Sequence, residues 1–249
     1  MAQGDVLGYR KQIGIVVPST NTVVQPDCDD LRPRGVTNHI GRIPTLERGL
    51  GTLQTYEQHM QLMRDGIGGA MDLVMSAKVD HMIMGVALEA FQGGVQASNK
   101  LQSDLEERAG VGVSMGAPAT VAALKAFGAK TISIVTPHQP KGDDTVREYM
   151  EEAGFKISKL IGLKCESPLA IARVTADQLA STFRELDGPD VEAIVQVGTN
   201  LSGVRVAAQA EFWLKKPVLA INAVTYWDAL RRCGIEDRIY GFGRILEEF

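Results

Sequence analysis

The chain has 249 residues, of which 45% are hydrophobic, and it carries a formal net charge of −4 at pH 7. This length and composition predict a large buried core, as one large domain or two small ones. Because no basic stripe could displace counterions and no apolar run approaches ~20 residues, we expect neither a nucleic-acid nor a membrane partner. Residues 1–12 lack the apolar stretch of a secretory signal, which predicts a cytoplasmic location.

The three cysteines, Cys28, Cys165 and Cys233, are widely spaced along the chain. They form no CxxC pair and no metal-ligand spacing, so we expect reduced thiols and no metal site.

The chain begins with an apolar strand, residues 13–17, that ends in a polar turn containing Asn21. The polar residues of this turn favour a helix start, whose free N–H groups could hold an anion, or they could act only as caps. Residues 35–44 predict a second strand. In residues 52–78 the apolar positions recur at three- and four-residue steps, which predicts a helix. Tyr56, in its first turn, is a candidate pocket residue.

A short apolar run, residues 81–84, ends at Gly85 and passes into a helix start. An apolar run without alternation predicts a strand buried on both faces, and a glycine at its end lets a ligand approach the backbone. Ligands of open α/β sheets bind beyond the carboxyl ends of strands. Gly85, Val86 and Ala87 are therefore candidate binding residues. Glu89 could have a raised pKa and act as a base, although most such glutamates cap or pair.

A second series of elements follows a helix predicted at residues 117–127. Its first strand, residues 131–136, ends in a turn with His138, which we expect either to bind or move protons or to be a surface histidine. An apolar run from Val191 ends at Gly198, followed by Thr199 and Asn200. The remaining elements are predicted as helices at 145–153, after Thr175, at 204–214 and at 225–233, with strands at 111–115, 156–163 and 218–221.

The order of the second series repeats that of the first. The strand that ends at Pro18 matches the strand that ends at Pro137, and the Gly85 turn matches the Gly198 turn. Two copies of one unit are the simplest explanation. We predict two α/β halves, residues 1–115 with 223–249 and residues 116–222, with Gly85 and Gly198 facing each other across one cleft.

Five motifs carry a resemblance to a known family. They are GIVVPSTNT from Gly14, MG at Met84 with FQGG from Phe91, ATVAALKAFG from Ala119 leading to Thr136–Pro137, IARV from Ile171, and GTNL from Gly198. Over nearly its whole length the chain resembles the arylmalonate decarboxylase and maleate cis–trans isomerase group of the aspartate/glutamate racemase superfamily. The resemblance implies two pseudo-symmetric halves, each with a four-stranded parallel sheet flanked by helices, and a cofactor-free active site in the cleft between them.

The resemblance also implies chemistry on a small carboxylate, which N–H groups and hydroxyls hold while one or two cysteines move a proton or add to a double bond. The family cysteines match Gly85 and Gly198, and this chain has glycine at both positions. Val86 and Ala87 replace hydroxyl residues, and His138 replaces a tyrosine. We therefore expect a mechanism without cysteine, and room left by the missing thiols for water or a larger substrate.

Three hypotheses follow for a site built from Asn21, Tyr56, residues 85–87 and residues 198–200. The first is hydrolysis, or water or proton transfer, on a small carboxylate or amide-like substrate by His138 or Glu89. The alternative is a cis–trans isomerase or decarboxylase of a small dicarboxylate that depends mainly on the oxyanion-type site. The third is a non-catalytic carboxylate-binding paralogue. In each case we expect a homo-oligomer.

Overall fold

The computed structural model describes residues 5–47, 49 and 52–249, without the side chains of residues 53 and 56. The elements that lead to the end of the first sheet are β1 (Lys11–Pro18), α1 (Val24–Asp30), β2 (Val36–Ile43), α2 (Leu53–Met75), β3 (His81–Met84), α3 (Leu88–Phe91), α4 (Gly94–Ala109) and β4 (Gly112–Met115). They are followed by α5 (Gly116–Ala126), β5 (Thr131–Thr136), α6 (Pro140–Glu152), β6 (Lys156–Gly162), α7 (Pro168–Ile171), α8 (Ala176–Leu186), β7 (Ala193–Gln196), α9 (Val204–Leu214), β8 (Val218–Ala220), α10 (Ile221–Arg232) and α11 (Arg244–Glu248).

The strands form two four-stranded sheets, ordered β2-β1-β3-β4 and β6-β5-β7-β8. All their pairings are parallel. The two orders are the same when the second sheet is renumbered from its first strand. The predicted fold class, two similar α/β halves with four-stranded parallel sheets, is therefore confirmed.

The central strands are buried because their residues are apolar on both faces. Every residue of β3 and of β7 is buried, as expected for a parallel sheet covered by helices on both sides. Along α2 the buried residues Met60, Met63 and Ile67 follow helical spacing and turn one face of the helix inward. This face brings the start of α2 to the carboxyl edge of the first sheet.

Two predicted helix starts, and the tail, show the largest differences from the structure. The helix predicted at 145–153 begins at Pro140, because proline is well suited to the first helical position. The last long helix begins at Ile221 rather than 225, since the apolar run hides the change from β8 to α10. The tail, for which the sequence shows no period, contains α11.

Helix α5 begins at the predicted boundary between the two halves, residue 116. It packs against β4 and α10 as well as against α3 and α4. The division of the chain at residues 116 and 223 stays a prediction.

Within the described residues, no helix is both long and apolar enough to cross a membrane.

Candidate functional site

A cavity lies where the carboxyl ends of the two sheets face each other. Its volume is about 100 Å³, enough for several water molecules or a small organic acid. Its polar lining residues are Thr20, Asn21, His59, Glu89, His138, Thr199 and Asn200, and its apolar ones include Met60, Met63, Val86, Ala87, Leu88, Pro168 and Ile171. Residues from both halves therefore form one site.

The hydroxyl of Thr199 connects the two halves at this cavity. It donates to the carbonyl oxygen of Gly85 at 3.1 Å and accepts from Asn21 Nδ2 at 3.3 Å. All three groups are buried. The Gly85 and Gly198 turns are thus in direct contact through Thr199, in the arrangement that the repeated sequence order predicts.

The side chain of Asn21 uses most of its hydrogen-bonding capacity on other groups of the protein. Its Oδ1 accepts from the N–H groups of Val23 and Val24 at 3.0 and 2.9 Å, which caps the start of α1. Its Nδ2 uses one hydrogen for Thr199, so one N–H is left for a ligand. Asn21 therefore acts as a cap and also lines the cavity.

The side chain of Asn200 also forms hydrogen bonds to two other segments at the site. Its Oδ1 accepts from the N–H of Thr22 at 2.9 Å, and its Nδ2 donates to the carbonyl of Pro168 at 2.9 Å. This leaves the second Nδ2 hydrogen and the backbone N–H of Asn200 without an acceptor among the described residues.

Backbone N–H groups of both glycine turns are available to a ligand. In the part of the chain that the structure describes, no acceptor is bonded to the N–H groups of Val86, Ala87, Thr199 or Asn200. All four residues line the cavity. Backbone N–H groups without a protein acceptor can bind an anion, so these residues are candidates to hold a carboxylate.

Glu89 provides a buried carboxyl group at this cavity. The residue is 6% exposed, and its Oε1 has no hydrogen-bond partner among the described residues. Burial raises the pKa of Glu89 to about 7, opposed by its own backbone N–H and by the charge of Arg64. A substantial fraction of the carboxyl groups therefore carries a proton at neutral pH.

His138 presents a neutral imidazole from the turn after β5. The residue is half-buried, but its Nε2 has no accessible surface and no partner in the described structure. Desolvation lowers the pKa of His138 to about 4, so the ring is uncharged at pH 7. The backbone N–H of His138 donates to Thr136 Oγ1 at 3.0 Å, which fixes the turn.

Most of the predicted site residues meet at the cavity. Gly198 and seven other predicted residues line it directly, whereas Gly85 lies behind the lining and contributes through its carbonyl group. The side chain of Tyr56 lies outside the described residues. The sequence interpretation missed His59, Met60, Met63, Pro168 and Ile171; of these, only Ile171 belongs to a family motif, and the methionines carry the same signal as core residues.

The expectation that the missing thiols leave room is wrong. A Cβ atom at Gly85 would lie 2.6 Å from Val17 Cγ1 and 3.0 Å from the carbonyl oxygen of Val16. A Cβ at Gly198 would lie 2.5 Å from Pro137 Cδ, and Gly198 has a φ of +112°, which side-chain-bearing residues rarely adopt. Protein atoms fill both positions.

The three cysteines lie outside the cavity lining, although the N–H of Cys165 donates to the carbonyl of Pro137, a lining residue, at 2.9 Å. Cys28 is buried in α1, where burial raises the pKa of its thiol. Cys165 follows β6 and Cys233 ends α10, and burial raises the pKa of each. No cysteine is among the residues that line the cavity. Among the described residues, no group of three or more His, Cys, Asp or Glu could hold a metal ion.

A model of the arylmalonate decarboxylase family matches residues 13–246. The chain belongs to this family. It is 23% identical to the maleate isomerase of Nocardia farcinica, over 97% of both chains. It is also 23% identical to the arylmalonate decarboxylase of Bordetella bronchiseptica, over 95% of this chain and 96% of that protein.

Solved structures show the same fold. The maleate cis–trans isomerase of N. farcinica bound to Tris matches with a TM-score of 0.86 and 21% identity, over 96% of this chain and 98% of that one. A liganded double mutant of arylmalonate decarboxylase matches with a TM-score of 0.79 and 18% identity, over 96% and 100% of the two chains.

The chain is thus an enzyme of the aspartate/glutamate racemase superfamily, as the sequence predicts. Its relatives are isomerases and decarboxylases. The comparisons therefore fit the alternative reaction class better than hydrolysis, which the sequence interpretation placed first.

We expect Gly198→Ala to lower the free energy of unfolding by about 2–4 kcal/mol, because backbone strain adds to the overlap with Pro137. Gly128→Ala is the matched control: its φ is +70°, and nothing lies near its Cβ position. It should cost only about 1–2 kcal/mol. Urea denaturation measures both, and equal losses would show that the space at Gly198 is open.

Proposed function

We propose that this enzyme decarboxylates a small malonate-type dicarboxylate and that Glu89 protonates the carbon that loses CO₂. The observation that carries the proposal is a buried carboxyl group, with no partner for its Oε1 among the described residues, on a residue that lines the cavity beside the N–H groups of both turns. Such a carboxyl group is a proton donor near neutral pH.

The proposed reaction breaks one C–C bond. One carboxylate leaves as CO₂, and the electron pair stays on the α-carbon and spreads onto the remaining carboxylate as an enediolate. The N–H groups of the Val86–Ala87 and Thr199–Asn200 turns stabilise this charge. Glu89 then transfers its proton to the α-carbon and regains one from water.

The apolar wall of the cavity favours the loss of CO₂. Met60 and Met63 are 4% and 2% exposed, and Leu88 and Ile171 line the same space. A carboxylate placed against these side chains loses hydration, whereas neutral CO₂ does not depend on it. The apolar wall thus destabilises the bound carboxylate that leaves, relative to the neutral CO₂ that it becomes.

Charge balance supports a protonated Glu89. Among the described residues, those that line the cavity include no lysine or arginine. A dianion would therefore rely on N–H dipoles and would be repelled by an ionised Glu89. Substrate binding should raise the pKa of Glu89 further and favour the protonated acid.

A second candidate is cis–trans isomerisation of a small dicarboxylate, because relatives from N. farcinica and Alcaligenes faecalis are maleate isomerases. The A. faecalis protein is 27% identical over 59% of each chain. A mutant of the N. farcinica enzyme was solved with a covalently bound succinylcysteine intermediate. With no cysteine lining this cavity, His138 Nε2 would have to add to the double bond instead. Decarboxylation needs no nucleophile, and so we place it first.

The test is a proton NMR screen of malonate, alkyl- and arylmalonates, and maleate. Decarboxylation yields the monocarboxylate, and isomerisation converts maleate to fumarate. For the active substrate, Glu89→Gln should lower kcat by at least about a hundredfold, since a general acid is lost. His138→Gln, which keeps a polar side chain at the cavity, should cost less than Glu89→Gln under decarboxylation and more under isomerisation.

The pH profile gives an independent check of the role of Glu89. The acid must be protonated to act, so kcat/KM, which reports the free enzyme, should fall as pH rises through about 7, and kcat should fall at a higher pH. A rise in kcat/KM through the same range would identify Glu89 as a base and contradict the proposal.

Activity should not depend on cysteine. The triple variant Cys28→Ser, Cys165→Ala, Cys233→Ser should retain kcat within a few-fold, although loss of packing at the buried Cys28 should lower stability by about 1 kcal/mol. Treatment of the wild-type enzyme with a thiol-blocking reagent, followed by assay, is the companion measurement. Loss of turnover in a folded triple variant would mean that a thiol reaches the cavity.

A further inference from the structure

Two buried side-chain amides donate hydrogen bonds to backbone carbonyl groups of the Gly198 turn. Gln196 Nε2 donates to the carbonyl oxygen of Gly198 at 2.9 Å. Asn222 Nδ2, at the start of α10, donates to the carbonyl oxygen of Thr199 at 3.0 Å. Gln196 and Asn222 are 1% and 5% exposed, and neither lines the cavity.

Fixing these carbonyl groups also fixes the N–H groups that follow them. In a planar trans peptide the C=O and the next N–H point in opposite directions. A carbonyl of Gly198 held by Gln196 therefore directs the N–H of Thr199 away from Gln196. In the same way, Asn222 directs the N–H of Asn200 away from α10. These are the two unpaired donors of the turn that lines the cavity.

The N–H of Leu201 also donates to the carbonyl of Gly198, at 3.1 Å, whereas Asn222 is the one donor to the Thr199 carbonyl among the described residues. These bonds oppose a peptide flip in the turn. Gly198 has a φ of +112° and lacks the side chain that restricts other residues. A flipped peptide would present a carbonyl oxygen, instead of an N–H, to the substrate carboxylate. That change would replace attraction by repulsion between the turn and the carboxylate, at a cavity where the described lining residues include no lysine or arginine.

Asp27 in turn sets the orientation of Asn222. Asp27 Oδ2 accepts from Asn222 Nδ2 at 2.8 Å, so both hydrogens of this amide have acceptors. If the amide turned over, its Oδ1 would face two other oxygens. Burial raises the pKa of Asp27 to about 6, opposed by the bond from Asn222, so the group is mainly ionised at pH 7. The acceptor is therefore a charged one, which strengthens the bond.

We propose that Asn222 and Gln196 are positioning residues that keep the N–H groups of Thr199 and Asn200 directed at the substrate carboxylate, and that Asp27 orients Asn222. The inference rests on the proposed function, because the carboxylate is the group that these N–H donors would hold. Asn222 touches no substrate in this account. It acts only through the orientation of one peptide.

The test compares Asn222→Ala with Asp27→Ala, Asp27→Asn and Thr225→Ala. Malonate is the binding probe, by calorimetry, and the malonate-type substrate found by NMR gives kcat and KM. Asn222→Ala should lower kcat about tenfold or more and weaken malonate binding. Asp27→Ala should act in the same direction. Asp27→Asn still offers an acceptor oxygen and should stay within about threefold of wild type.

Thr225→Ala controls for a general loss of stability. Thr225 lies on the same helix, and its buried hydroxyl donates to the carbonyl of Ile221 at 2.6 Å, away from the turn. It should lower the melting temperature with kcat and malonate affinity unchanged. If Asn222→Ala behaves like Thr225→Ala, the role of Asn222 is structural and the proposal is wrong. If Asn222→Ala does not fold, Asp27→Ala and its rescue in Asp27→Asn decide the question in the same way.

If the proposed function is wrong, the result differs: the wild-type enzyme neither binds malonate nor converts any malonate-type compound. Crystal structures of wild type and Asn222→Ala would then test the positioning directly. A reoriented Thr199 carbonyl in the variant supports the role of Asn222, and an unchanged carbonyl overturns it.

Discussion

The hydroxyl of Thr199 joins the two halves at the point where the site is built. It donates to the carbonyl of Gly85 on one sheet edge and accepts from Asn21, which caps the helix after β1. These buried bonds hold together the two turns that carry the N–H groups. The space between the turns, where an anion would bind, depends in part on this contact.

Burial keeps His138 unprotonated and makes Glu89 a weak acid at neutral pH, so neither requires a counter-ion. A substrate carboxylate then brings negative charge to the site, and dipoles held in advance stabilise it. In this account a carboxyl group on α3 takes the proton-donor role, and Gly85 and Gly198 have become packing positions against Val17 and Pro137.

Much of the fold follows from the sequence alone. β3 and β5 begin and end as predicted because glycine or proline directly follows each apolar run, and α9 matches at both ends. The start of α10 does not match its predicted position, since the apolar residues of β8 continue into the helix without a break. The candidate site was predictable where it lies at strand ends, as at Glu89, His138 and Thr199. Met60 and Met63 were not predictable as site residues, because a helical residue that lines a cavity recurs at the same spacing as one that lies in the core. The homo-oligomer and the cytoplasmic location stay predictions.

The proposed mechanism depends on a protonated Glu89, and a carbon-13 NMR titration of its carboxyl group, assigned with Glu89→Gln, measures that state. We expect a midpoint near 7 in the free enzyme and a higher midpoint with malonate bound. A midpoint near the ordinary value of 4.5 would contradict the mechanism, because Glu89 would then be ionised at neutral pH and would have no proton to donate.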